Sequence, residues 1–162
     1  MWAIVSGYFN CVTFLGLFLP KNIRLGRILA LDYGKVRTGI AVTDELQIVA
    51  SGLETVNTEE LITFLKSYLS EEKVECVVVG LPKQMDGKDS QSEGLIKKFL
   101  EKLQNSFPLL KIERQDERFT SKIAVQSMIA GGMKKKKRQN KGMVDQISAT
   151  LILQSYLDRI SI

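Results

Sequence analysis

Arg27-Ile28-Leu29-Ala30-Leu31-Asp32-Tyr33-Gly34-Lys35-Val36-Arg37-Thr38-Gly39-Ile40-Ala41-Val42-Thr43 is the stretch that decides the fold. An apolar run ends on a carboxylate, a glycine-containing turn follows at once, and a second apolar run begins. That pattern predicts a buried strand over 28–33 and an antiparallel partner over 39–43. A carboxylate at the end of a buried strand costs free energy unless a cation compensates it. Asp32 is therefore the first candidate for holding a divalent metal ion or a cationic ligand.

Outward from this hairpin, Asp44-Glu45 reads as a turn and 47–56 as a third strand. Thr58 is placed to cap a helix whose inward face carries Leu61, Ile62, Leu65 and Leu69. The continuous apolar run 74–80 is expected to be a strand buried on both faces. A polar loop over 81–90 is long enough to suggest function. A helix over 92–105 follows, with Leu95, Ile96, Phe99, Leu100 and Leu103 inward, then a strand over 109–115. Thr120 opens a helix with Ile123, Ala124, Val125, Met128 and Ile129, stopped by Gly131-Gly132. After a basic run, a last helix covers about 144–160. The order β-β-β-α-β-α-β-α-α implies an antiparallel meander followed by parallel crossovers. The expected architecture is α/β, one mixed five-stranded sheet flanked by helices on both sides.

The 162 residues are enough for one domain with a real core, and 44% hydrophobic with 25% charged residues describes a globular chain. A net charge of +5 fits a polyanionic partner without requiring one. There is no histidine. Ser-His-Asp, Cys-His and histidine general-base chemistry are therefore excluded. Cys11 and Cys76 form no CxxC pattern, so a structural zinc site is not expected. Cys76 lies in an apolar run and reads as a core residue, and a reducing cytoplasm is the default location. Residues 1–20 carry no charge and are rich in Phe, Leu and Val. They lack the basic region of a secretory signal, and Gly7, Asn10, Thr13, Gly16 and Pro20 weaken a membrane span. Residues 1–25 are expected to be an extension outside the domain, with translation starting at Leu25; an uncleaved membrane anchor is the alternative. The domain is expected over 26–162.

With no histidine, any hydrolytic chemistry must rest on carboxylates. Asp32 ends the first strand, Glu117 ends the last, and Asp145 is expected in the first turn of the last helix. Ligands of open α/β sheets collect outside the carboxyl ends of the strands, where these three can meet. Three convergent carboxylates would each bind a proton unless cations sat between them, and Mg²⁺ or Mn²⁺ prefers such oxygen ligands. Two such ions about 4 Å apart could clamp the attacking and leaving oxygens of a phosphodiester. Taken singly, Asp145 could simply complement the helix dipole, Glu117 could pair with Arg118 at the surface, and Asp44 is most simply a turn residue.

Asp32-Tyr33-Gly34-x-x-Arg37-x-Gly39-Ile40-Ala41-Val42-Thr43-Asp44 is similar to the opening signature of the YqgF-type family, the pre-16S rRNA nucleases also called Holliday junction resolvases. Val79-Gly80-Leu81-Pro82-x-x-Met85-Asp86-Gly87 resembles that family's second block, and Asp116-Glu117-Arg118-Phe119-Thr120-Ser121 its third. Residues 134–145 with the following helix resemble the fourth. Ser148 stands where a small apolar residue is usual. The resemblance implies an RNase H-like fold, a metal-dependent nuclease site at Asp32, Glu117 and Asp145, and a cytoplasmic protein acting on the 5′ end of pre-16S rRNA.

The candidate nucleic-acid contacts are cations. Arg37 sits on the turn beside Asp32 and could contact a phosphate, or could pair within the hairpin with Asp44 or Glu45. Lys83 and Lys88 lie in the polar loop, and Arg118 follows Glu117. Lys134, Lys135, Lys136, Lys137, Arg138 and Lys141 immediately precede Asp145 and could give salt-dependent, sequence-independent binding. Gly34 and Gly39 are expected to permit the turn and a close backbone approach. Three rivals stay open: an actin-like phosphate loop, a binding module without catalysis, and a resolvase acting on branched DNA. No dimer seam is evident, so a monomer is expected, without stable membrane association.

Overall fold

The computed structural model describes residues 26–82, 93–116, 120–135 and 140–161. The elements run β1 (Arg27–Tyr33), β2 (Arg37–Thr43), β3 (Ala50–Asn57), α1 (Leu61–Glu71), β4 (Val74–Leu81), α2 (Glu93–Ser106), β5 (Lys111–Asp116), α3 (Thr120–Ala130) and α4 (Lys141–Ile160). Among the described residues the five strands form one sheet in the order β3-β2-β1-β4-β5. The first three strands pair antiparallel; β4 runs parallel to β1, and β5 parallel to β4. This is the mixed sheet with flanking helices that the sequence implied.

Side-chain alternation divides the core into two layers. Leu29, Leu31 and Ile40 face Leu61, Leu65, Ile96, Phe99 and Leu103, so α1 and α2 cover that side. Ile28, Ala30 and Ala41, with Cys76 and Val78, face Ala149, Ile152, Leu153, Tyr156 and Leu157 of α4. The sheet residues under α4 are small: Ala30, Ala41, Gly39 and Gly52. They let the long helix lie close to the strands, whereas bulkier side chains would hold it off. α3 packs on α4 rather than on the sheet.

Several expectations change. Thr58 does not cap α1. Its hydroxyl donates to the Gly34 carbonyl at 2.7 Å and lies 3.0 Å from Thr38 Oγ1, and Glu60 occupies the cap without a side-chain bond. α3 buries Ala124 and Met128, while Ile123, Val125 and Ile129 stay exposed, because a helix packed on one other helix needs only a narrow stripe. Leu95 is exposed on α2, outside the stripe of Ile96, Phe99 and Leu103 that faces the sheet. α4 begins at Lys141, not near 144. The Asn140 side chain caps it by accepting from the Met143 N–H, so no acidic residue lies in its first turn.

One polar clamp ties the active edge together. Arg114 of β5 donates to the β4 carbonyls of Val79 (3.3 Å) and Gly80 (2.9 Å), and forms a two-pronged bond to Glu93 at the start of α2 (3.1 and 2.9 Å). Glu93 is almost wholly buried. Arg114→Met should destabilise the fold by about 3 kcal/mol, since it leaves a buried carboxylate unpaired. Arg114→Met combined with Glu93→Met should recover most of that loss. Thermal melts of the three proteins check this, and a single variant as stable as wild type would exclude the clamp.

Candidate metal and nucleic-acid site

Asp32 continues the row Ile28, Ala30 on the face of β1 that α4 covers. Its neighbour across the antiparallel pair is Gly39. A Cβ on Gly39 would collide with the backbone carbonyl of Asp145. The helix backbone therefore passes directly over Gly39, beside Asp32. On α4 the buried stripe Ser148, Ala149, Ile152, Leu153, Tyr156, Leu157 extends one turn further, and Asp145 stands three residues before Ser148. Thus the row on β1 and the stripe on α4 both leave apolar core and end on carboxylates at the same sheet edge. The pairing of Leu31 with Val79, and of Val79 with Arg114, makes the ends of β1, β4 and β5 level.

The electrostatics reflect that meeting. Burial, with the negative charge of Asp145 nearby, pushes the Asp32 carboxyl up to about 6. Ser148 approaches the same carboxyl and eases its ionisation, yet its buried Oγ has no hydrogen bond of normal geometry with any described group. The contact is a near approach rather than a formed bond, because a formed bond would satisfy the hydroxyl. A buried polar atom without a partner is uncommon and asks for an explanation. Among the described residues no group of three or more His, Cys, Asp and Glu converges to hold a metal. What they supply is Asp32, Asp145 and the Ser148 hydroxyl. This all-oxygen set, short of one cation, fits Mg²⁺ or Mn²⁺.

Arg37 pairs with neither Asp44 nor Glu45. Its Nε donates to Asp145 Oδ2 at 3.1 Å. Asp44 instead accepts from the N–H groups of Ile48 and Val49, both at 2.8 Å, which closes the β2–β3 turn and lowers its pKa. The turn carrying Arg37 is braced by the Gly34 N–H donating to the Arg37 carbonyl at 3.1 Å. A Cβ on Gly34 would run into that carbonyl, so the two expected glycine roles hold.

The other candidates divide. Lys134, Lys135 and Lys141 are exposed and precede or open α4. Glu117, Arg118, Lys83, Lys88, Lys136, Lys137 and Arg138 lie outside the described residues, although Glu117 follows the end of β5 by one position. The residue that sequence reading undervalued is Ser148: only its polarity on an otherwise apolar stripe could have signalled it.

The model of the family described as RuvX, Holliday junction resolvase, matches residues 26–159. The chain belongs to this family. Relatives named "Putative pre-16S rRNA nuclease" match closely. That of Flavobacterium psychrophilum is 61% identical over 133 residues, covering 82% of this chain and 97% of the relative. That of Christiangramia forsetii is 62% identical over 133 residues, covering 82% and 98%. Among solved structures, T. thermophilus RuvC in complex with Holliday junction substrate matches with a TM-score of 0.48 and 16% identity over 83% of this chain and 96% of that one. At that distance the likeness carries no weight for function. The RuvX match begins at Gly26, one residue before β1, and ends within α4. In this RuvX chain the family's region thus contains Asp32, Arg37, Asp145 and Ser148 together.

Proposed function

We propose that this protein is a divalent-metal-dependent nuclease that hydrolyses phosphodiester bonds in 5′-end processing of pre-16S rRNA in the cytoplasm. The observation that carries the reading is the buried Asp32 carboxyl, raised to about 6 beside Asp145 and an unsatisfied Ser148 hydroxyl. Asp32 and Asp145, with Glu117 after β5, would hold Mg²⁺ or Mn²⁺. When bound, the ion would activate water and neutralise charge developing on the phosphate. Asp32 is fixed by its strand and Asp145 by the close seat of α4 on Gly39, so the donors are positioned before substrate arrives. Ser148 offers a hydroxyl that can donate to a water or phosphate oxygen at the same point. Arg37 presents a guanidinium suited to a phosphate oxygen pair. Lys134, Lys135, Lys136, Lys137, Arg138 and Lys141, with Lys83, Lys88 and Arg118, would track the backbone without reading bases.

The names of the relatives favour the pre-16S rRNA substrate. The family description favours a second reading, resolution of Holliday junctions. A resolvase makes two symmetric cuts and is expected to act as a two-fold dimer, whereas trimming one RNA strand needs only a monomer. The test is cleavage of a pre-16S leader RNA and a four-way DNA junction side by side, with Mg²⁺, Mn²⁺ or chelator, and sedimentation at micromolar concentration. Metal-dependent cleavage of the RNA by a monomer is expected. A dimer that nicks junctions symmetrically would establish the second reading, and no cleavage of either would overturn both.

Replacing Lys134, Lys135, Lys136, Lys137 and Arg138 with Gln should weaken nucleic-acid binding and flatten its salt dependence. Each lost phosphate contact should lower the log–log slope by roughly 0.7 for a single strand. Titrations between low and physiological salt measure it, and an unchanged slope would remove these residues from the interface.

A further inference from the structure

Arg37 stands where two ligands would compete for it. Its Nε holds Asp145, and among the described residues its two terminal NH₂ groups have no acceptor. The side chain is 38% exposed, and that of Asp145 25%. The guanidinium thus lies at the surface of the site, and among the described residues its ion pair is to Asp145, a carboxylate beside Asp32. Without a metal, Arg37 supplies the positive charge that Asp145, one of two neighbouring carboxylates, needs. With a dication between those carboxylates, the same guanidinium is next to a like charge. A phosphodiester is its natural alternative partner, because a phosphate takes a guanidinium two-pronged.

From this geometry we infer that Arg37 is an exchangeable counter-ion: it occupies Asp145 in the resting protein and moves to a backbone phosphate, so that nucleic acid and metal promote each other's binding. The inference rests on the nuclease reading above and deepens it. Arg37 becomes a positioning residue that keeps the metal affinity low until substrate is present. Coupling between the two ligands is reciprocal and should be about tenfold, within the usual range for linked sites. Turn strain is not required for the exchange, since the Gly34 and Thr58 bonds hold the backbone of the turn rather than the guanidinium.

The test is Mn²⁺ binding to the full chain, followed by electron paramagnetic resonance, with and without a cleavage-resistant phosphorothioate RNA. Wild type should bind Mn²⁺ weakly alone and about tenfold more tightly with the RNA. Arg37→Gln should bind Mn²⁺ several-fold more tightly than wild type without RNA, and the gain on adding RNA should shrink. Arg37→Lys, which keeps the charge, should bind as weakly as wild type without RNA and guards against misfolding of the neutral variant. If Asp32→Asn abolishes Mn²⁺ binding while Arg37→Gln leaves it unchanged or weaker, the exchange is wrong and the metal site stands. If Asp32→Asn does not alter Mn²⁺ binding, the nuclease reading itself fails and the exchange falls with it.

Discussion

Asp32→Asn is expected to abolish cleavage and at the same time to make the protein more stable at neutral pH. The first effect follows from losing a charged metal ligand: Asn keeps the shape but not the charge that holds a divalent ion. A metal supplies several kcal/mol of stabilisation to the transition state, so cleavage should fall on the order of 10³-fold. The second effect follows from the raised pKa. Burial and the nearby Asp145 raise the folded Asp32 carboxyl to about 6, against 3.8 for an ordinary aspartate. Between those values the folded protein binds more protons than the unfolded chain, so stability falls as pH rises and then levels off above about 6. A shift of about two units corresponds to roughly 3 kcal/mol lost at neutral pH. Asn never ionises, and even with some loss from burying an amide it should recover about 1–3 kcal/mol, or roughly 3–10 °C in melting temperature. The gain should shrink as pH falls below about 6 and be small near pH 4, where folded Asp32 is neutral and the unfolded residue is about half ionised. Added Mn²⁺ should stabilise wild type and leave the variant unmoved. Melting curves from pH 4 to 8, run with the cleavage assay, measure all of this. Full cleavage by the variant, or a lower melting temperature at pH 7.5, would refute the assignment.

Gly39→Val should also damage the site, from a residue with no functional group. A Cβ at Gly39 meets the Asp145 carbonyl carbon and oxygen and crowds the Gln146 nitrogen, all backbone atoms that cannot rotate away. Either α4 lifts off β2 or the strand bends. Overpacking of this kind costs about 1–3 kcal/mol. Displacement of Asp145 by about 1 Å should reduce cleavage on the order of 10²-fold even where the protein remains folded. Valine at Gly52, where a Cβ meets only the Gln146 and Thr150 side chains at 3.4 Å, should cost less on both counts. Cleavage and melting of the two variants side by side decide the matter. Equal losses would mean that general packing, not the seat of Asp145, explains the effect.

These two effects come from one arrangement. Each element that builds the site leaves well-packed core immediately before it presents a polar group: Ala30 before Asp32, Ala149 after Ser148. The core fixes position and the exposed edge admits a ligand. Stability is given up at Asp32 for that purpose, as is common where a charged group must stand ready in a partly dry site.

Much of this was determined by the sequence alone. The order of strands and helices is local information, carried by period-two and period-3.6 apolar patterns that each segment holds by itself. The same applies to Asp32, whose apolar neighbours mark it as a buried charge, and to Asp44, whose turn role needs only nearby N–H groups. Tertiary structure decided the partners. Arg37 and Asp145 are 108 positions apart, and nothing local distinguishes that pairing from one with Asp44 or Glu45. Gly39 could be read as a glycine permitting close approach, but what approaches is α4, set by the small residues beneath it. The exposed Ile123, Val125 and Ile129 were unreadable because α3 rests on a helix instead of the sheet, and a pattern of apolar residues does not say how wide its partner is. Ser148 acquires meaning only when the fold closes Asp32 and Asp145 around it, since the cost of an unsatisfied hydroxyl arises from burial, and burial belongs to the assembled molecule.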